Sequence, residues 1–187
     1  MIIFLDFEAS SLGKHGFPIE VGWAAEDGSG AGALIRPAPG WEEWSEEAEG
    51  IHGISRERLL REGEQHGALA RRMVAALSGH ALYASAPSWD GQWLSKLLRA
   101  AGLPRHTLRV RDTDEVQERT ADRVLAASGV PEAARPALVR EIVEAVRAEY
   151  GGVAPAHRAL EDARRELALW QEVRRRAETL AMGGAGY

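Results

Sequence analysis

The chain opens with Ile2-Ile3-Phe4-Leu5 running straight into Asp6-Phe7-Glu8. Four apolar residues in a row, two of them β-branched, mark a strand buried on both faces. Such a strand needs covering layers above and below it, which restricts the chain to sheets flanked by helices. The two acids fall at the strand's carboxyl end, where open α/β sheets build their sites. Asp6 and Glu8 are two residues apart, so both side chains leave one face. Adjacent carboxylates repel and raise each other's pKa unless a cation lies between them. Oxygen-only ligands favour Mg2+ or Mn2+ over zinc. Read alone, the pair is also compatible with a capped strand end carrying solvated acids.

The remaining pattern extends the sheet. Ile19–Ala25 reads as a second strand, turned by Asp27-Gly28-Ser29-Gly30 into a third around Ala33–Arg36, which Pro37-Ala38-Pro39-Gly40 ends. Ser55–Arg61 reads as a short helix with Ser55 as N-cap; Arg58 stands where a capping box has Glu. Leu69, Met73 and Leu77 mark a helix by their spacing of four. Ala81–Ser85 is a strand, Gly91–Ala101 a helix closed by Gly102, and Leu108–Val110 a fifth strand. After Asp112 the chain is helical. One stripe runs through Leu138, Val139, Ile142, Val143, Val146 and Tyr150, another through Leu160, Ala163, Leu167 and Trp170. The expectation is an α/β fold with a mixed five-stranded sheet. Its first three strands form an antiparallel meander, and the later strands run parallel to the first. The expected organisation is a single domain over residues 1–182 and a flexible C-terminal tail over 183–187.

Composition narrows the function classes. A net charge of -5 argues against holding nucleic acid by bulk positive charge. It leaves room for an enzyme that meets phosphates through bound cations, because four ligand carboxylates account for most of the excess. There is no cysteine, so disulfides and thiolate metal sites are excluded. No apolar run approaches a membrane span and no signal peptide is read at the start, so the expected location is cytoplasmic and no membrane partner is expected.

Two further acidic pieces follow the first in a fixed order. Asp90 stands in Ser88-Trp89-Asp90 after the fourth strand, and His157-Arg158-Ala159-Leu160-Glu161-Asp162 stands at the start of the last helix. Alone, Asp90 reads as a helix N-terminal acid and His157 as a capping or surface histidine. Together, four carboxylates and one histidine on separate elements are the groups that a two-cation, phosphodiester-cleaving site requires.

These residues resemble the three exonuclease motifs of the DEDDh 3′–5′ exonucleases. The likeness extends to Pro18-Ile19-Glu20-Val21-Gly22, to Ile51-His52-Gly53-Ile54-Ser55 and to Arg111-Asp112-Thr113, and it spans about residues 1–180. The resemblance implies a ribonuclease-H-like fold. It also implies two divalent cations, Mg2+ or Mn2+, held by Asp6, Glu8, Asp90 and Asp162. Asp6 would bridge both, Glu8 and Asp162 would hold the ion that binds the attacking water, and Asp90 would support the second. His157 would be the general base. The implied reaction releases nucleoside 5′-monophosphates from single-stranded DNA or RNA 3′ ends, with Phe7, Ala9, Ser10, His52, Ile54 and Trp44 as substrate contacts.

The chain departs from the family at two points. Ala9-Ser10-Ser11 replaces the usual Thr-Thr-Gly, and Ala84-Ser85-Ala86-Pro87 lacks the usual Asn before Asp90. Both bear on substrate preference and leave the five chemical residues untouched. Trp41 and Trp44 have two readings, packing of their loop onto the core or stacking of one of them on the terminal base, while Trp89 and Trp93 read as core. Arg174-Arg175-Arg176 reads as a solvated helix end. Two other readings stay open: a catalytically idle nucleic-acid or partner-binding module, and a dinucleotide phosphodiesterase. An oligomer is also open.

Overall fold

The computed structural model describes residues 1–150, 152 and 154–183. Six strands form one sheet: β1 (Ile2–Ala9), β2 (Pro18–Ala25), β3 (Gly30–Arg36), β4 (Glu64–Gln65), β5 (Ala81–Ala84) and β6 (Val110–Asp112), in the order β4-β3-β2-β1-β5-β6. β1 to β3 form the expected antiparallel meander, while β5 pairs parallel to β1 and β6 parallel to β5. The sixth strand is β4, which pairs parallel to Ile35 and Arg36 at the sheet edge. Two residues are too few to show the alternation that marks a strand.

Among the described residues there are seven helices: α1 (Glu46–His52), α2 (Arg56–Glu62), α3 (His66–Leu77), α4 (Pro87–Ala100), α5 (Thr113–Ala127), α6 (Arg135–Tyr150) and α7 (Ala159–Gly183). α1 carries no apolar stripe. It is specified by its ends: the Ser45 hydroxyl accepts from Ala48 N, three acids lie in its first turn, and Gly53 closes it at φ 66°. Ser55 caps α2 as expected, accepting from Arg58 N at 3.2 Å. α4 starts at Pro87, not Gly91, because proline is well suited to a first helical position; Asp90 therefore sits in the first turn. β6 begins two residues later than expected, since Leu108 is buried in the core as part of the approach to the strand. The predicted tail has helix up to Gly183, and its remainder, 184–187, lies outside the described residues. Among the described residues, no helix is long and apolar enough to cross a membrane.

Alternation along β1 sorts its side chains between two layers. Ile3, Leu5 and Phe7 pack with Leu69, Met73, Trp93 and Leu97 of α3 and α4. Phe4 points the other way, into a cluster with Tyr83, Ala163, Leu167 and Trp170 under α7. Burying side chains of this size is worth roughly 1.5–3 kcal/mol each. Asp6 and Glu8 share the parity of Phe4, so they emerge on the face covered by α7. Two glycines let α7 come close. A Cβ on Gly22 would sit on the backbone of Ala159 and Leu160, and one on Gly32 would press on the Leu160 side chain. α5 and α6 then pack on α7 through Leu125, Val139, Ile142, Val143, Val146, Val173 and Ala177.

Candidate active site

Three of the expected acids converge. Asp6, Glu8 and Asp162 each present a carboxylate oxygen, and these oxygens lie within 4.8 Å of one another. β1 supplies the first two and the first turn of α7 the third. They line a cleft of about 240 Å3 with Phe7, Ser85, Pro155, His157, Arg165 and Glu166.

Asp90 reaches the same place from the opposite layer. It is 3% exposed, and its Oδ1 accepts from Phe7 N at 3.1 Å, tying α4 to β1 beside the acid pair. Its Oδ2 is sealed from solvent and has no hydrogen-bond partner among the described residues. A buried unpaired carboxylate oxygen is costly.

The electrostatics follow from this crowding. Burial, then repulsion from Asp90, Glu8 and Asp162, pushes the Asp6 carboxyl up to about 9. Burial, then Asp162, pushes Glu8 up to about 7. Burial also raises Asp90 to about 7, against the hydrogen bond from Phe7 N, which pulls it down. Such a group of hard oxygen donors suits a divalent cation, which would relieve the repulsion and give the Asp90 oxygen a partner. The residues therefore fit the cations that the sequence resemblance implies.

His157 stands in the loop before α7 with φ 52°, a left-handed conformation uncommon for a non-glycine residue. The loop is held from both sides. Asp162 accepts from Ala156 N at 2.9 Å and from Arg158 N at 3.1 Å. Glu20 of β2 accepts from the Arg158 guanidinium and from Ala159 N at 3.1 Å. His157 thereby lines both the acid cleft and an adjoining cleft of about 300 Å3.

That second cleft carries the expected substrate contacts only in part. Phe7, Ala9 and His52 line it, together with Leu12, Ile51, Trp89 and Trp93. His52 Nδ1 accepts from Ile54 N at 3.0 Å, so Nε2 carries the N–H of the neutral ring; Nε2 is buried and lacks a partner among the described residues. Burial lowers the His52 pKa and keeps the ring neutral.

Three predicted contacts are corrected. Ser10 is fully buried, its hydroxyl accepting from Phe17 N at 3.1 Å, so it fastens the 10–17 loop. Ile54 is fully buried against Phe17, Ile19 and Leu59. Trp44 donates to Glu49 at 2.7 Å and packs on Phe17 and His52, while Trp41 stacks on Phe17 at 5.3 Å. Trp89, read as core, is 40% exposed at the cleft and stacks on buried Trp93 at 5.8 Å. Exposed Leu12 and Ile51 line the same cleft.

No protein-family model matches the chain, and no curated protein does. Solved structures do match. Exonuclease I from Methylocaldum szegediense superposes with a TM-score of 0.67 at 19% identity, over 96% of this chain and 41% of that one. Exonuclease I from E. coli, in complex with a dT13 oligonucleotide, gives 0.65 at 16% identity, over 96% and 42%. A product-bound exonuclease I gives 0.64 at 15%, over 97% and 45%. The chain has the fold of exonuclease I. It spans less than half the length of these exonuclease I chains, and the α/β architecture with a mixed sheet expected from the sequence is present with one strand more than expected.

Proposed function

We propose that the chain is a metal-dependent 3′–5′ exonuclease acting on single-stranded nucleic acid, with DNA as the first substrate to test. The observation that carries this reading is the convergence of Asp6, Glu8 and Asp162 at one cleft, which shares Asp6, Glu8 and His157 with an adjoining cleft lined by Asp90, whose buried Oδ2 has no partner among the described residues. The exonuclease I fold and the oligonucleotide bound to the E. coli protein support the choice of substrate.

Asp6, Glu8 and Asp162 would hold one Mg2+ or Mn2+, and Asp6 with Asp90 a second. When bound, two such cations supply positive charge to the attacking and leaving oxygens of an in-line displacement and acidify the attacking water. His157 takes the proton of that water. The water oxygen bonds to phosphorus, the bond from phosphorus to the 3′ oxygen of the preceding nucleotide breaks, and that oxygen takes a proton from solvent while His157 gives its own back to solvent. The products are a shortened 3′-hydroxyl end and a nucleoside 5′-monophosphate. The buried Nε2–H of His52 donates to the terminal nucleotide, and Trp89 offers a face for its base. Four repelling acids have no evident purpose in an idle binding module, which disfavours that reading.

The test uses 5′-labelled single-stranded DNA and RNA of one sequence, with Mn2+, Mg2+ or EDTA, and Asp6→Asn as control. A metal-dependent ladder shortening from the 3′ end, absent in the variant, is expected. Intact polymers and intact dinucleotides would exclude the reading.

A further inference from the structure

The active cleft has a neighbour across α4. Ala86, Trp89, Asp90 and Trp93 of that helix line the cleft that holds His52 and His157. Ser88, Gly91, Gln92 and Ser95 line a second groove of about 430 Å3. Both sets repeat at helical spacing and are offset by two positions, so they face apart. In the first turn Ser88 of the groove and Trp89 of the active cleft are consecutive and both exposed. The groove's other wall is the segment between α4 and β6, which contributes Arg105, His106 and Arg109. Among the described residues, no carboxylate lines it.

That wall is held in place. Gly102, at φ 73°, turns the chain out of α4, and Leu103 N donates to the Leu98 carbonyl at 2.9 Å. Thr107 donates to the Pro104 carbonyl through N at 3.1 Å and through its hydroxyl at 2.8 Å. Leu108 is buried in the core, while Arg105, His106 and Arg109 are exposed. Arg105 Nε donates to His106 Nε2 at 2.8 Å, so the neutral His106 ring keeps Nδ1–H to offer. Elsewhere Arg119, Arg147 and Arg176 each face a carboxylate. Arg105 and Arg109 pair with none among the described residues. From Gly91 to Arg111 the chain carries Lys96, Arg99, Arg105, Arg109 and Arg111 and no acid, within a protein of net charge -5. Positive charge is gathered here against the overall balance. The floor is bare at Gly91. Glycine is unfavourable inside a helix, and a Cβ there would meet nothing within 4 Å, so packing does not require it. Its missing side chain keeps the groove open.

We infer that this groove holds the phosphate backbone of the single strand upstream of the 3′ end engaged in the active cleft. Arg105 and Arg109 meet phosphate oxygens, and His106, Ser88 and Gln92 donate neutral hydrogen bonds to them. The occupant is backbone and not bases, because no Trp, Tyr or Phe among the described residues lines the groove to stack on. The inference rests on the exonuclease reading above and extends it along the strand.

The test is binding to the full chain in Mg2+, followed by fluorescence anisotropy. The probe is 5′-labelled dT13, the oligonucleotide seen with the E. coli protein, made with phosphorothioate linkages to slow cleavage. Unlabelled thymidine trinucleotide competes for the terminal site. Arg105→Gln combined with Arg109→Gln is expected to weaken dT13 by about tenfold, the scale of two exposed charge contacts. The slope of log Kd against log salt should fall by about 1.4, at roughly 0.7 per phosphate contact on a single strand. The trinucleotide should stay within about twofold, because salt screens the lost charges from the active cleft. Arg123→Gln combined with Arg140→Gln removes the same charge from exposed positions on α5 and α6, in the other layer, and should leave dT13 within about twofold. If the groove pair binds dT13 as wild type does, or if the α5 and α6 pair weakens it equally, the groove is overturned while the exonuclease reading stands on its own ladder assay. Equal weakening of dT13 and the trinucleotide also overturns the upstream assignment. If wild type binds neither, the exonuclease reading loses its substrate and the groove falls with it.

Discussion

Glu20 and Arg158 form a bidentate ion pair between β2 and the loop that presents His157. Arg158 Nη2 lies 2.8 Å from Glu20 Oε1 and Nε 3.2 Å from Oε2. The Glu20 side chain is 8% exposed and that of Arg158 39%. The two deletions are therefore unequal. Arg158→Ala leaves a buried carboxylate with Ala159 N alone and is expected to cost about 3–5 kcal/mol. Glu20→Ala leaves a guanidinium that reaches water and is expected to cost about 1.5–3 kcal/mol. Urea unfolding measures both, and the reverse order would contradict the burial argument. Glu20→Gln keeps an acceptor for Ala159 N but loosens the clamp. It is expected to lower kcat with Mn2+ binding retained, by less than the roughly 10²-fold or greater loss expected for His157→Ala.

The acid cluster sets an unusual dependence of stability on pH. Asp6, Glu8 and Asp90 have their carboxyl pKa values raised from 3.8, 4.5 and 3.8 to about 9, 7 and 7. For a group raised on folding, the folded state holds its proton more tightly than the unfolded state. Its contribution is thus full below about 4 and is lost as pH rises through the folded value. Metal-free protein should lose thermal stability from about pH 4 to about pH 9. Saturating Mn2+ should flatten that decline and release protons near pH 7, measured by calorimetry in buffers of different ionisation heat. Asp6→Asn should raise the metal-free Tm by about 2 °C or more while abolishing cleavage. A metal-free Tm that rises with pH over this range would count against the cluster.

Trp89 and Trp44 offer a direct comparison of two aromatics. Trp89 is exposed at the cleft on a Trp93 platform, whereas Trp44 is bound to Glu49 behind His52 and does not line the cleft. Trp89→Ala is expected to raise KM for oligonucleotides by roughly tenfold, since stacking on one base is worth about 1–3 kcal/mol. Trp44→Ala is expected to leave KM within about twofold and to lower Tm. Equal effects on KM would refute the assignment.

The parts legible in the sequence were those encoded locally. A strand's alternation put Asp6 and Glu8 on one face before any packing was known, and the stripe through Leu160, Ala163, Leu167 and Trp170 gave α7 its inward side. The misplaced residues depend on tertiary packing. Trp44 and Trp89 have the same intrinsic chemistry, and only the surrounding loops decide which one meets solvent. Ser10 became structural because its hydroxyl meets Phe17 N across a loop, a contact no spacing rule encodes.

Gly22 joins fold to site. It sits in β2 opposite Asp6, and α7 starts directly over it, with Ala159 and Leu160 where a Cβ would go. Gly22→Ala must push the start of α7 off the sheet. That start carries Asp162, so the displacement should act on chemistry as well as on stability. The expected cost is about 1–3 kcal/mol of overpacking, with weaker Mn2+ binding because the Asp6, Glu8 and Asp162 oxygens no longer converge. Gly50→Ala in α1, where a Cβ meets open space, is the matched control. It should be stabilising by about 0.5–1 kcal/mol through helix propensity alone, with Mn2+ affinity unchanged. If Gly22→Ala lowers stability yet binds Mn2+ like wild type, the close approach of α7 serves packing and does not set the acid geometry.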